Sequence, residues 1–330
     1  MHRRAFLQAS SASIAMAPAL PAAIEMPART LGKTGMKVSR FTLGGYHMRV
    51  GGVQSGIGII HRAIDLGVTH FDSARGYHGG DSDATYGRAL AGGLRQRVIL
   101  MSKSNKRDEA SAMAELEETL RDMKTDYLDL WACHEVGSME EVDAIFASNG
   151  AARAFRKAKQ QGKVRHIGFT GHRDPEVHLR MMRETDQWET VQLPINLVDP
   201  HYLSFLEGVL PEARRRGMGV IAMKSNAMGT IRQKGIATIE ECVRFTLSQE
   251  PDTLVSGVET IAQLEQNAGI VKDFHPMTKE EQDALLSRTK RSETGVGVER
   301  YKKPAAGARH TPAPLGDEYR DGADRHIVAV

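Results

Sequence analysis

"VILMSKSNKRDEASAMAELEETLRDMKTDYLDLWACH", residues 98–134, decides the fold. It opens on one apolar run, Val98–Ser102, and closes on another, Tyr127–Cys133. Between them Met113, Leu116, Leu120 and Met123 recur at helical spacing, and Asp108 stands where a side-chain oxygen accepts the first free amide hydrogens of a helix. Two near-continuous apolar strands joined by an amphipathic helix form the unit of a parallel sheet, because only a sheet covered by helices buries both faces of its strands.

The same unit repeats outward in both directions. Strands are predicted at Arg40–Gly44, Thr69–Ser73, Val98–Ser102, Tyr127–Cys133, His166–Thr170, Thr190–Leu193, Gly219–Met223 and Thr253–Val258. Thr238 with Glu241, and Thr260 with Gln263, have the spacing of capping boxes ahead of helical stripes. Gly67, Gly162 and Gly217 fall where helices should stop. Eight such units predict an α/β fold, a closed (β/α)8 barrel over residues 30–274. The rival, a doubly wound open sheet, carries a glycine-rich phosphate turn after its first strand. "LGGYHM" (43–48) lacks that pattern, and "GGVQSGIG" (51–58) reads as loop and helix start. Beyond the barrel, residues 275–330 are predicted as one helix, Met277–Lys290, and an irregular tail, Ser292–Val330, rich in Gly, Pro and charge.

The chain begins "MHRRAFL", and "ASSASIAMAPALPAA" follows at residues 9–23. Paired arginines before a weakly apolar, small-residue stretch resemble a twin-arginine export signal, with Ala17, Ala19 and Ala23 as candidate cleavage positions. The expectation is that residues 1–23 are a signal recognised by the twin-arginine machinery and that the protein is periplasmic or exported. The plainer alternative is a slightly basic N-terminal tail. The chain has 330 residues, 41% hydrophobic and 26% charged, with a formal net charge of +3. Two of those positives are Arg3 and Arg4 of the leader, so the body is near neutral and argues against a nucleic-acid partner. No apolar stretch reaches the roughly 20 residues that span a bilayer, so no stable membrane insertion is expected after cleavage. The two cysteines, Cys133 and Cys242, match no metal or disulfide spacing and read as buried thiols.

Barrel enzymes carry their chemistry at the C-terminal ends of the strands. The second strand ends "HFDSARGY" (70–77), the third "ILMSKS" (99–104), the fourth "LWACHE" (130–135). Asp72, Tyr77, Lys103 and His134 thus reach one rim. A buried ammonium needs a carboxylate, which Asp72 supplies, and an ammonium beside a phenol is expected to lower its pKa below about 10. Tyr77 would then exchange a proton with a developing alkoxide while His134 orients the carbonyl. Taken singly, the ion pair is as well read as structural, Tyr77 as a loop tyrosine and His134 as a core histidine; their joint placement favours catalysis. His47, His134 and Glu135 show no metal-ligand spacing, so no metal is expected. His47, His78, His166, His172, His201 and Trp131 are candidates to approach the mouth, and Met181, Met182, Met218 and Met223 read as core.

Asp72, Tyr77, Lys103 and His134, in this order on these strand ends, resemble the catalytic tetrad of the aldo-keto reductases. "TLGKTGMKVSRFTLGG" (30–45), "GVTHFDSARGY" (67–77), "TDYLDLWACH" (125–134), "GKVRHIGFTGH" (162–172), "VQLPIN" (191–196) and "SGVETIAQLEQN" (256–267) are similar to further landmarks of that family. The resemblance implies a nicotinamide cofactor at the barrel mouth, NADP by family habit with NAD possible, and hydride transfer to a small carbonyl or from an alcohol. It places Thr170 and Gln192 at the carboxamide, Lys224 (or Arg232) over the cofactor, and Gly257, Gln263, Gln266 and Asn267 at the adenosine half. Gly171 offers no side-chain amide where the family has one. "SGVETIAQ" lacks the Arg or Lys that a 2′-phosphate normally meets. "VIAMKSNAMGTI" (220–231) is similar to a subgroup that often carries an iron–sulfur tail, whose cysteines are missing here. Two other functions fit the resemblance: a cofactor-retaining lyase or isomerase, and an NADP-binding module without turnover. Tyr46–Gly56 and Ser292–Val330 are the candidate specificity segments.

Overall fold

The computed structural model describes residues 25–291 and 297–306. The predicted signal, residues 1–23, and the end of the predicted tail lie outside the described residues. A short antiparallel hairpin comes first, β1 (Ala28–Thr30) with β2 (Lys37–Ser39). Eight parallel strands follow: β3 (Phe41–Gly44), β4 (His70–Asp72), β5 (Ile99–Ser104), β6 (Leu128–Cys133), β7 (Val164–Thr170), β8 (Thr190–Pro194), β9 (Gly219–Met223) and β10 (Thr253–Gly257). They pair in sequence order and close through β10 against β3, so the predicted (β/α)8 barrel is the observed fold. Each strand falls within two residues of its predicted limits.

Local signals explain most helix limits. Asp108 accepts the Ser111 amide hydrogen at 2.9 Å and starts the helix Glu109–Met123. Thr238 and Glu241 close a complete capping box. The Thr260 hydroxyl accepts from the Gln263 amide, but the Gln263 side chain accepts from Glu259 rather than from Thr260, so the second predicted box is half formed. Gly67, Gly162 and Gly217 end helices with φ of 86°, 73° and 62°, the left-handed region where a Cβ is costly. Gly87 is needed for contact rather than conformation: a Cβ there would lie 2.1 Å from the Asp122 carbonyl oxygen on the neighbouring helix.

The hairpin, which the strand pattern did not reveal, seals the N-terminal end of the barrel. The Gly32 amide donates to Asp252 at 3.1 Å and the Lys33 amide to the Gly217 carbonyl at 2.7 Å, while Leu31 is fully buried against Gly219. Among the described residues the C-terminal mouth stays open and leads into the barrel's main cavity. Trp131, one of the candidates for the mouth, is a packing residue between barrel and helices, stacked on Phe155 at 4.0 Å. Its position in β6 alternates with inward-facing neighbours, so its side chain joins the outer layer. His166 lies at the opposite end of its strand, bonded to Glu189 at 2.8 Å.

The last helix spans Lys279–Arg291, close to its predicted limits. The predicted irregular tail packs, over residues 297–306, as a strap over the mouth. Glu299 and Lys302 are fully buried and Tyr301 nearly so. The Lys302 ammonium contacts Asp199 at 2.7 Å and Glu299 at 2.6 Å and donates to the Tyr202 carbonyl at 2.8 Å. The Ala305 amide donates to Asp174 and the Lys303 amide to the Arg173 carbonyl. Charged residues that find partners of opposite sign are compatible with an interior.

Candidate active site

Asp72 is the last residue of β4, Lys103 lies in β5, and His134 immediately follows β6, so parallel register brings all three to one rim. Tyr77 starts the short helical turn after β4. The Lys103 ammonium, 1% exposed, is 2.5 Å from Asp72 Oδ1, 2.7 Å from the Ser73 carbonyl oxygen and 3.3 Å from the Tyr77 hydroxyl. Its three hydrogens are thereby used. The Tyr77 oxygen accepts from the ammonium, which leaves the phenol's own hydrogen for another acceptor.

The expected lowering of the Tyr77 pKa is not what the surroundings produce. Burial, with Asp72 next and Glu135 after it, holds the phenol well above its ordinary value of 10. The ammonium that was to acidify it is neutralised by the nearer carboxylate. Tyr77 is therefore a neutral O–H across the physiological range. His134 sits edge-on to the Tyr77 ring, centroids 5.5 Å apart, and bonds Asn105 Oδ1 through Nδ1 at 3.0 Å. Burial first, then the Lys103 charge, keeps this imidazole well below 6.5 and neutral. Asn105 was not anticipated; its position two residues past Lys103 on the same rim was the available signal.

The mouth continues into a cavity of about 480 Å³ that runs from Asp72, Tyr77 and Gln192 past Lys224 and Arg232 to Gly257, Gln263, Gln266 and Asn267. Tetrad floor and predicted adenosine residues thus share one channel, of a size usual for small-molecule sites. Gln192 donates to Asp72 Oδ2 at 2.9 Å, and its carbonyl oxygen is buried with no hydrogen-bond partner among the described residues. Such an orphan acceptor needs a donor from a ligand, and a carboxamide N–H is of the right kind. Gly257 faces the same channel, where a Cβ would stand 2.2 Å from His47 Nδ1. Asn267 donates to Ser256 at 3.0 Å, and Gln266 is exposed on the channel edge. Thr170 is 2% exposed and its hydroxyl accepts the Glu135 amide hydrogen at 3.0 Å, so it backs the lip rather than lining the channel.

Tyr46, His47 and Glu135 form the near lip. Met223, read as core, is half-buried and lines the channel, as does the buried Cys242. The strap supplies the far lip. Tyr301 donates to Glu299 at 2.6 Å and accepts from Asn196 at 3.1 Å, and its ring meets His172 edge-on at 5.4 Å. No local pattern marks Tyr301, which reaches the mouth only through long-range packing.

This barrel, with an acid, an ammonium, a phenol and an imidazole at its open end, agrees with a sequence model of the Aldo/keto reductase family, which matches residues 53–240. The chain belongs to the aldo/keto reductase family. As a member it is an oxidoreductase. The family member is 26% identical over 243 residues to L-glyceraldehyde 3-phosphate reductase of Escherichia coli, covering 67% of each chain. It is 24% identical over 318 residues to L-galactose dehydrogenase of Arabidopsis thaliana, covering 79% of this chain and 95% of that one. Among solved structures, an aldo-keto reductase from Klebsiella pneumoniae in complex with NADPH superposes with a TM-score of 0.66 at 23% identity, over 79% of this chain and 94% of that one. The holo form of one from Bacillus halodurans gives 0.68 at 20% identity, over 80% and 96%.

Proposed function

We propose that this aldo/keto reductase transfers hydride between NADP(H) and a small carbonyl or alcohol, with Tyr77 as the acid and base. The observation that carries the reading is the Lys103 ammonium shared between Asp72 and the Tyr77 hydroxyl at the floor of the channel. NADP(H) fits the residues present: the orphan Gln192 oxygen would take a carboxamide N–H, and Gly257, Gln263, Gln266 and Asn267 would line the adenosine end; the Klebsiella structure of similar fold is a complex with NADPH. When bound, the cofactor supplies a hydride donor or acceptor at the mouth. Tyr77 donates its free hydrogen to the substrate oxygen as negative charge develops there, and the ammonium behind it stabilises the phenolate left behind. His134 steers the carbonyl toward Tyr77. A phenol held above its usual pKa favours the reductive direction, since a proton donor must be protonated. Export through the twin-arginine route remains part of the proposal, supported by "MHRRAFL" alone; cargo of that route would leave the cytoplasm folded around its cofactor.

The test is Tyr77→Phe. NADPH binding, followed by nicotinamide fluorescence, should be retained, while ketone reduction drops by several orders of magnitude. Retained turnover in that variant would remove Tyr77 from the chemistry.

A further inference from the structure

One ammonium in the mouth has no counter-ion. Lys224 follows β9 in left-handed backbone (φ 58°), a conformation that side chains with a Cβ hold only when their surroundings impose it. Its Nζ lies 4.9 Å over the Tyr301 ring. Among the described residues no carboxylate comes within ion-pair distance of it. The acid whose field reaches it, Glu135, is on the opposite lip and exposed. Its other charged or titratable neighbours are Lys103 and the imidazoles of His47, His134 and His172, all three held neutral by burial and by nearby positive charge. Burial lowers the Lys224 ammonium to about 8, still largely charged at neutral pH.

The contrast with the buried lysines is informative. Lys103 and Lys302 each touch a carboxylate, at 2.5 Å and 2.7 Å. An ammonium left bare on the wall of an open channel is suited to an anion that arrives from solvent. Arg232, exposed further along the channel beside Asn226 and Gly229, is the cation better placed for cofactor phosphates. Lys224 stands closer to the tetrad, near enough for its charge to bear on His134 and His172.

We propose that Lys224, seated on Tyr301, determines specificity by binding a carboxylate or phosphate carried by the carbonyl substrate. The strap thereby acquires a function: Glu299 and Asn196 hold the Tyr301 hydroxyl, and the ring holds the ammonium. The inference rests on the hydride-transfer reading only for the word substrate.

Calorimetry with NADP+ in excess tests it, using 4-acetylbenzoate and 4-acetylbenzamide, ketones of one shape and different charge. Oxidised cofactor cannot reduce them, so binding is read without turnover and a failure of hydride transfer leaves this result intact. The benzoate should bind about tenfold tighter or more, a difference of about 1.4 kcal/mol. Lys224→Met should bring the two within about twofold, Lys224→Arg should keep the preference, and Tyr301→Leu should reduce it. Equal binding to the wild type, or a preference that survives Lys224→Met, overturns the proposal. So does a Lys224→Met variant whose Kd for NADP+ rises while the preference stays, which would assign the ammonium to cofactor phosphate.

Discussion

Replacing Lys302 by Met removes the cation that two buried carboxylates share. Lys302, Asp199 and Glu299 are all fully buried. Asp199 would keep the Ser204 hydroxyl at 2.8 Å and the amides of Phe205 and Leu206 at 3.1 and 2.9 Å, so its oxygens stay hydrogen-bonded. Glu299 would keep Tyr301 and Asn196 on Oε1, but its Oε2 faces only the lost ammonium. Glu299 already lies above the usual carboxyl range, chiefly from burial, and in the variant it takes up a proton more readily still. Removing one partner of a buried pair costs about 3–5 kcal/mol. At about 2–4 °C per kcal/mol for chains of this order, Tm should fall by about 10 °C. The sign of the pH dependence follows from a raised folded-state value: the stabilising neutral form is present at low pH and lost as pH rises through the raised pKa. The deficit measured by thermal melts should therefore be larger at pH 8 than at pH 5.5. Adding Glu299→Gln should recover part of the loss, since one uncompensated charge is gone. A single variant that melts within 2 °C of wild type at pH 8 would refute the view that the strap is anchored by charge.

Asn105→Leu should remove the acceptor of the His134 Nδ1 hydrogen and free the imidazole to turn or change tautomer. Ketone reduction should drop about tenfold or more at pH 8; unchanged kcat would show that the Asn105 bond does not position His134. For a neutral ketone, kcat/KM of reduction should stay level from about pH 6 to 9, because Tyr77 must be protonated to act and its pKa lies above 10. A tenfold decline within that range would assign the proton to another group.

What could be read from the chain alone was whatever depends on neighbours in sequence. Strand and helix periodicity, the Asp108 and Thr238 caps and the glycine stops are local, and they placed eight strands in register closely enough to put Asp72, Lys103 and His134 on one rim. Once the barrel is known, strand ends are neighbours by construction, so the tetrad was legible too. Tertiary structure alone decided the rest. The direction of the Tyr77 shift depends on how deeply the phenol is buried and on Asp72 and Glu135 facing it, which no spacing encodes. Thr170 is held under the lip because its hydroxyl accepts the Glu135 amide hydrogen, a contact between residues far apart in sequence. Residues 297–306 read only as irregular tail; Asp199, the distant partner of Lys302, lies about a hundred residues earlier, and only folding brings that carboxylate to the ammonium, burying both and setting Tyr301 over the mouth.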